Sequence, residues 1–511
     1  MINPAKKIYF GLFIFSLAFF ATRLINLTRL PVFCDEAIYL RWSQIIASSD
    51  AFRFVPLSDG KQPLFMWLVV PFFKIISDPL YAGRFLSVIS GFFSMFTLIL
   101  IFSLLSNYKS KNPDPIPFIF ESLKKSFPFN LLPALFYLTL PFSFFFDRMS
   151  LPDNLLACLS SISFFLSLLL AKYLRFDISI LLGISLGLSW LTKSPAIYFI
   201  VLSLLTVFLL TIPKLNLKTI SYPVFSSLLA FFIYNILRLG PQFHLIAQRN
   251  KDYIRPLSEI LKNPTNPLFS HTLSTLNLFK TYVSTPLLIL LAFALLLSVL
   301  QKKFNRQYFV CFLWFFLPLL SNNIFAQVFT ARYILYTIPP LILLISLAFN
   351  YVFQSSYRNV STLLVILSLI LNLSFNYRLS SDPKNTTLPK SEQGYLSDWT
   401  SGWGIKETYS LLNDNQKNHQ IVVGTEGYFG TLPDGLQIYT ASNANLKVFG
   451  VGLMFTDIPE SLLETKQNGN ETYLLINKSR NNLNPQSLNK LELVKSFPKP
   501  GNDSLDLYKI L

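Results

Sequence analysis

Long apolar runs are the feature of this chain that most restricts its fold. Eleven of them lie near residues 8–27, 82–106, 130–146, 154–171, 178–191, 195–212, 219–237, 286–300, 308–320, 333–352 and 361–376. A helix of about 20 apolar residues crosses a bilayer with every backbone polar group bonded internally. Only 14% of the residues are charged, whereas soluble domains have about 25%. The sequence therefore predicts an α-helical integral membrane protein with about eleven transmembrane helices.

The positive charge of the chain predicts its topology. The net charge is +17. The Lys and Arg residues cluster in short loops between apolar runs, so the positive-inside rule and contacts with lipid phosphate explain them better than a nucleic-acid partner does. A twelfth apolar segment, 63–76, would place most of these charges outside if it crossed the membrane. We therefore predict that it does not cross, and that the protein is a multi-pass plasma-membrane protein with a cytoplasmic N-terminus.

This topology divides the chain into two predicted domains. Residues 1–380 form a membrane domain, in which 28–81 and 238–285 are long external loops. The first loop carries two interfacial helices, at 36–49 and 63–77, the first of which has amphipathic spacing. Beyond Tyr377 the sequence becomes polar and rich in turn residues. Short strands at 420–424, 446–450 and 471–477 and helices at 405–412 and 460–466 predict a small extracytoplasmic α/β domain over 381–511.

Two adjacent carboxylates, Asp35 and Glu36, follow the first span. Acids near a membrane are costly to desolvate, which favours a functional role, although an ordinary solvated loop is the alternative. Isolated basic residues also fall near the external face, and interfacial snorkelling is the alternative for each of them. Together with the acids they predict a site for a phosphate-bearing lipid. These basic residues are Lys61, Arg84, Arg148, Lys193 and Arg332.

Cofactor chemistry is poorly supported by the sequence. The three cysteines, Cys34, Cys158 and Cys311, have neither paired nor metal-type spacing, so disulfide or zinc chemistry is not expected. A divalent cation bound by Asp35, Glu36 and Asp153 stays open, because no ligand spacing among them is diagnostic.

Several short motifs resemble those of membrane glycosyltransferases with the GT-C fold. The acidic pair resembles the first-loop motif of the family 39 group, which includes protein O-mannosyltransferases and lipid A aminoarabinose transferases. KQPL at 61–64 resembles KPPL with Gln62 in place of Pro, and RMSLPD at 148–153 resembles an Arg-x-x-x-x-Asp turn. LTKSP at 191–195 resembles LTKGP with Ser194 in place of Gly, and RY at 332–333 with PP at 339–340 resembles a late Arg-Tyr…Pro-Pro span.

The resemblance implies an inverting enzyme that moves a sugar from a polyprenyl-phosphate carrier to an extracytoplasmic acceptor. It implies Asp35 as general base, with Glu36 positioning the acceptor or the sugar. The five basic residues would bind and stabilise the leaving phosphate; for Arg84, at the start of a span, a simple anchoring role is the alternative. Tyr39, Asp153 and Tyr333 lie in the same motifs and are further site candidates.

Two other functions remain open from the sequence. A lipid or solute transporter or flippase fits the number of spans, but charged residues in the middle of the spans and a repeat between the two halves are both missing. A non-catalytic surface protein would act through residues 381–511 alone. The sequence identifies neither the sugar nor the acceptor, which is a glycolipid, a glycan or a protein.

Overall fold

The computed structural model describes residues 4–110, 112–213, 216–263, 265–301, 306–414 and 420–511. Within them, the α-helices in chain order are α1 (Pro4–Leu24), α2 (Cys34–Ser48), α3 (Leu64–Val69), α4 (Pro79–Ser106), α5 (Pro115–Ser126), α6 (Leu132–Thr139), α7 (Pro141–Phe146), α8 (Pro152–Tyr173), α9 (Phe176–Thr192), α10 (Ile197–Thr211), α11 (Leu217–Tyr234), α12 (Leu245–Lys251), α13 (Leu257–Lys262), α14 (Thr265–Phe279), α15 (Thr285–Leu300), α16 (Arg306–Phe325), α17 (Ile338–Phe353), α18 (Arg358–Ser381), α19 (Ile405–Asp414), α20 (Asp434–Thr440), α21 (Glu460–Gln467) and α22 (Pro485–Leu488). The strands are β1 (Ile421–Glu426), β2 (Leu446–Gly452), β3 (Glu471–Asn477), β4 (Leu491–Pro498) and β5 (Ser504–Ile510).

Most of the predicted spans are long helices. In the described part of the chain, nine helical stretches are long and apolar enough to cross a membrane, and they match nine of the eleven predicted runs. The run at 178–191 is the shorter helix α9. The run at 130–146 is divided into α6 and α7, because Leu140 is extended and Pro141 begins a new helix. The predicted fold class, a helical membrane protein with a small C-terminal α/β domain, is confirmed.

The predicted external loop 238–285 contains several helices. From Thr265 onward it is helical, in a stretch that continues through a π-helical turn, Lys280–Ser284, to Leu300. The residues before it form the short helices α12 and α13. Residues 214–215 and 302–305, which lie in short loops between predicted spans, are outside the described residues.

The chain forms two compact units. The first, here called the helical unit, comprises Met1–Ile25, Pro56–Phe65 and Phe85–Tyr377; the second, the mixed unit, comprises Asn26–Val55, Met66–Arg84 and Arg378–Leu511. The predicted C-terminal domain, 381–511, therefore belongs to a unit that also contains most of the first external loop.

In the helical unit, small residues let α9 and α11 approach closely. A Cβ atom on Gly183 would lie 2.9 Å from the side chain of Leu229, and one on Gly187 would lie 2.7 Å from Ile233. The Ser226 hydroxyl donates a 2.8 Å hydrogen bond to the Ser179 carbonyl oxygen. Glycines four residues apart with a bridging serine are a typical packing device of membrane helices.

A buried ion pair joins α1 to the turn after α7. The Arg23 Nε atom lies 3.2 Å from the Asp147 carboxylate, and neither side chain is exposed. The Tyr137 hydroxyl and the Asn154 amide donate to the same carboxylate, at 3.0 and 3.1 Å. A Cβ atom on Gly91 would collide with it at 2.3 Å, so glycine is needed there. This ion pair was not predicted from the sequence.

In the mixed unit, the five strands form one sheet in the order β2-β1-β3-β5-β4. Strand β1 pairs in parallel with β2 and β3, whereas β5 pairs antiparallel with β3 and β4. The three predicted strands are confirmed as β1, β2 and β3, and the two predicted helices as α19 and α21. Strands β4 and β5 and helix α20 were not predicted.

Candidate functional site

Three of the predicted phosphate-binding residues meet within the helical unit. The Lys61 ammonium donates a 2.8 Å hydrogen bond to the Tyr253 hydroxyl. The ring of Tyr253 lies edge-on to that of Tyr333, with 5.9 Å between centroids. Lys193 Nζ lies 4.5 Å from the Tyr333 ring centroid and the Arg332 guanidinium carbon 5.0 Å from it. We call these five residues the cation–tyrosine cluster.

Local structure explains how each cation reaches the cluster. Lys193 follows the last residue of α9 in an extended conformation, and the next turn, Ser194–Ala196, contains Pro195. Arg332 lies in the 3-10 turn Ala331–Thr337, which precedes α17. Lys61 follows Gly60, which has a φ of +63°; a Cβ atom there would lie 2.5 Å from the Leu245 carbonyl oxygen. Glycine therefore permits both the turn and the close approach of α12.

Tyr253 was not predicted from the sequence as a site residue. Two backbone hydrogen bonds fix its segment: Gln327 N–H donates to the Tyr253 carbonyl at 2.8 Å, and Arg255 N–H donates to Phe325 at 2.8 Å. The sequence around Tyr253 shows no motif or periodicity, so only this pairing with residues 325–327 brings the ring beside Tyr333.

The two residues that differ from the family motifs, Gln62 and Ser194, contact each other. The Gln62 amide donates a 2.7 Å hydrogen bond to the Ser194 hydroxyl, and that hydroxyl donates to Asn250 at 3.1 Å. Gln62 is buried, and a buried amide needs such partners. Gln62 and Ser194 thus form a polar link that the resembling motifs, with Pro and Gly, have no side chains to make.

Asp153 holds Lys193. The two charged groups lie 2.6 Å apart, with 3% of the Asp153 and 23% of the Lys193 side chain exposed. Among the described residues, no group of three or more His, Cys, Asp or Glu side chains is placed to hold a metal ion. Asp153, considered from sequence as a possible metal ligand, is bound to a lysine instead.

Arg148 contacts the end of α1. Its Nη1 atom donates to the carbonyl oxygens of Thr22, Arg23 and Ile25, at 3.1, 3.1 and 2.8 Å, and the residue is fully buried. Carbonyls at a helix C-terminus lack intrahelical donors and carry partial negative charge, so a guanidinium stabilises them. These contacts favour a structural role for Arg148 over phosphate binding.

In the mixed unit, Asp35 is the second residue of α2 and is partly exposed. Unpaired N–H groups in the first turn of a helix point toward a side chain at this position. Tyr39, one turn later, is buried with its ring 5.9 Å from that of Trp42.

Glu36 and Arg84 form a fully buried ion pair in the same unit. Arg84 Nε and Nη2 donate to the two carboxylate oxygens of Glu36, at 2.8 and 2.7 Å. Arg84 also donates to the carbonyls of Leu27, Leu30 and Pro31, each at 2.9 Å. Glu36 in turn accepts a 3.0 Å bond from the Phe33 N–H group. The pair therefore fixes the segment that leads into α2, a role different from the substrate contacts predicted for both residues.

The cation–tyrosine cluster is chemically suited to bind a phosphate monoester or diester. Ammonium and guanidinium groups form short, strong hydrogen bonds to phosphate oxygens. The aromatic rings beside them hold the cations in place through cation–π contacts. The three cations of the cluster are partly exposed, whereas Arg84 and Arg148 are fully buried.

The fold is GT-C-like and similar to that of ArnT. Two similar solved structures are those of ArnT from Cupriavidus metallidurans, one in the apo state and one bound to undecaprenyl phosphate. Their TM-scores are 0.55 and 0.58; in each case the sequence identity is 12% and the alignment covers 99% of this chain and 98% of the ArnT chain. No protein-family model and no curated protein matches the sequence.

Proposed function

We propose that this protein is a glycosyltransferase that moves a sugar from a polyprenyl-phosphate carrier to an acceptor hydroxyl outside the cytoplasm. The observation that carries the proposal is the meeting of Lys61, Lys193 and Arg332 around two tyrosines, although these residues come from three distant parts of the chain. The ArnT fold, seen with undecaprenyl phosphate in one neighbour, supports a carrier of that class. Such a carrier lies in a membrane, and the plasma membrane is the proposed location of the protein.

The cation–tyrosine cluster has the donor phosphate as its proposed ligand. Asp153 keeps the Lys193 ammonium oriented, and the Tyr333 ring restrains both Lys193 and Arg332. As the bond from the sugar to the phosphate breaks, negative charge grows on the leaving phosphate oxygen. Preorganised cations stabilise that charge more strongly in the transition state than in the ground state, and one such donor contributes about 10²–10³ in kcat.

Asp35 is the proposed general base. Its carboxylate takes the proton of the acceptor hydroxyl while the acceptor oxygen attacks the anomeric carbon from the side opposite the phosphate. The new bond joins carbon to the acceptor oxygen, and the old electron pair leaves with the phosphate, so the anomeric configuration inverts. A positioned base contributes about 10²–10⁴ in rate.

The other predicted site residues receive supporting roles in this proposal. Glu36 and Arg84 hold the segment before α2, and Arg148 holds the end of α1, so none of the three needs to touch a substrate. This assignment predicts that changing them impairs folding, whereas changing Asp35 impairs only the reaction.

Release of polyprenyl phosphate by the purified protein tests the proposed activity. The donor source is a total lipid extract from cells that lack this gene, combined with an envelope fraction as acceptor, and the released lipid is quantified by mass spectrometry. We expect Asp35→Asn to lower the rate about 10²–10⁴-fold. Asp50→Asn is the control, because Asp50 lies in the same loop and its side chain is 98% exposed.

Full activity of Asp35→Asn would remove Asp35 from its proposed role. Absence of any sugar transfer by the wild-type protein, combined with movement of lipid across vesicle bilayers, would favour the flippase instead.

A further inference from the structure

The segment before Asp35 pairs with a short turn-containing segment of the C-terminal part of the chain. Cys34 N–H donates to the Thr400 carbonyl at 3.0 Å, and Gly402 N–H donates to the Val32 carbonyl at 2.8 Å. Between these bonds, Phe33 and Ser401 form an antiparallel bridge. Residues 398–402, here called the support strip, thus hold the backbone immediately before Asp35.

The support strip has close-packed surroundings. A Cβ atom on Gly402 would lie 2.4 Å from the Val32 side chain, so only glycine fits there without displacing Val32. The Phe33 ring packs 4.3 Å from that of Tyr395. On the far side of the helix start, a Cβ atom on Gly430 would lie 3.0 Å from the Cys34 sulfur. Small movements of the strip are therefore transmitted to residues 32–34.

Lys499 binds the support strip through its ammonium group. Its ammonium donates to the carbonyl oxygens of Ser401 and Asp398, at 2.6 and 3.0 Å, and to the Asn477 amide oxygen at 2.5 Å. Three donors thus meet three acceptors, and Lys499 is only 5% exposed. Methionine has similar length and no donor, so Lys499→Met would leave all three acceptors without this partner.

The same lysine is linked to the sheet. Asn477, the last residue of β3, donates its side-chain amide to Glu426, the last residue of β1. Burial lowers the pKa of Lys499 to about 8, while Asp503, Glu426 and Asp398 favour its charged form. At neutral pH the ammonium and its three donors are therefore retained. A continuous chain of hydrogen bonds therefore connects Glu426 and Asn477, at the ends of β1 and β3, through Lys499 to the support strip.

We propose that Lys499 is a positioning residue for Asp35, which couples the fold of the C-terminal α/β sheet to the backbone that precedes the general base. The inference rests on the proposed function for the role of Asp35, but the coupling itself is a property of the mixed unit. Through this coupling the C-terminal sheet contributes to the reaction without contacting a substrate.

Hydrogen–deuterium exchange of the full-length protein tests the coupling without an activity assay. We expect Lys499→Met to increase exchange about ten-fold or more in the peptide containing Phe33 and Cys34, because hydrogen bonds from a charged group are stronger than neutral ones. Residues 40–48, in the second half of α2, should keep wild-type exchange. Lys509→Met is the matched control, since Lys509 lies on the same sheet and pairs with Glu471 at a part-exposed position.

Gly402→Ala is a second route to the same result, should Lys499→Met fail to fold. It displaces Val32 directly and leaves the contacts of Lys499 in place, so the same peptide should exchange faster. Unchanged exchange at Phe33 and Cys34 in either folded variant would overturn the inference.

Kinetics separate positioning from general damage. Lys499→Met should lower kcat about ten-fold or more with little change in the KM for the lipid donor, because the proposed donor-binding residues belong to the helical unit. A rise in KM with unchanged kcat would overturn the positioning role. If exchange changes as expected while Asp35→Asn stays fully active, the coupling holds and the proposed base is wrong.

Discussion

Replacing Glu36 by alanine is expected to destabilise the mixed unit. The change removes both oxygens that receive Arg84, at 2.8 and 2.7 Å, and the acceptor of the Phe33 N–H group. Arg84 then stays buried without its counter-charge. Breaking one side of a buried pair costs about 3–5 kcal/mol. A unit of this size loses about 2–4 °C in Tm per kcal/mol, so the Tm should fall by about 6–20 °C.

A thermal unfolding assay of the purified protein in detergent measures this effect. Glu407→Ala is the control, because Glu407 is an exposed glutamate in the same unit. Glu36→Gln should fall between the control and Glu36→Ala, since it keeps the shape and part of the hydrogen bonding but loses the charge. A Glu36→Ala protein with wild-type Tm and lost transfer activity would refute the structural role and restore the substrate contact predicted from sequence.

Three further predictions follow from contacts elsewhere in the chain. Replacing Gln62 by Ala and Ser194 by Ala, singly and together, should give a coupling energy of about 0.5–1.5 kcal/mol in a double-mutant cycle of unfolding; additive effects would contradict their hydrogen bond. Gly187→Leu should destabilise by about 1–3 kcal/mol or more through overlap with α11, whereas Leu181→Ala, at an exposed position of α9, should have little effect on Tm. Burial raises the pKa of Asp434 to about 6, above its unfolded value of about 3.9, so its contribution to stability is lost as pH rises from about 4 to 6. Asp434→Asn should therefore raise Tm relative to wild type at pH 7 and not at pH 4, and an equal shift at both pH values would contradict this.

Hydropathy was sufficient to predict nine of the eleven runs as long helices, and turn residues between short apolar segments were sufficient to predict the α/β domain. Lipid-facing helices need long apolar stretches, so this signal is local and survives without any tertiary information. The same approach did not predict the helices in a segment of mixed composition, as in the predicted loop 238–285, which is helical from Thr265 onward. It also missed β4, because this strand is exposed over most of its length and carries little apolar alternation.

The candidate site was predictable only in part. Motif resemblance selected Lys61, Lys193 and Arg332, which do meet in the helical unit. It could not separate these cations from Arg84, because the pairing of Arg84 with Glu36 spans 48 positions and leaves no local pattern. Tyr253 was likewise not predicted, because a single tyrosine in an irregular segment matches no sequence pattern. Only the backbone pairing of its segment with residues 325–327 brings it beside Tyr333.

Affinity for undecaprenyl phosphate, compared with undecaprenol, tests the central claim most directly. The two lipids share the prenyl chain and differ only in the phosphate, so their affinity ratio in detergent-solubilised protein measures phosphate recognition alone. We predict that wild-type protein and an Arg175→Met control, altered at an exposed cation, bind the phosphate at least about ten-fold more tightly, and that Lys193→Met and Arg332→Met reduce this preference. Equal affinity of the wild-type protein for both lipids, or an unchanged preference in both variants, would contradict the assignment of the cation–tyrosine cluster.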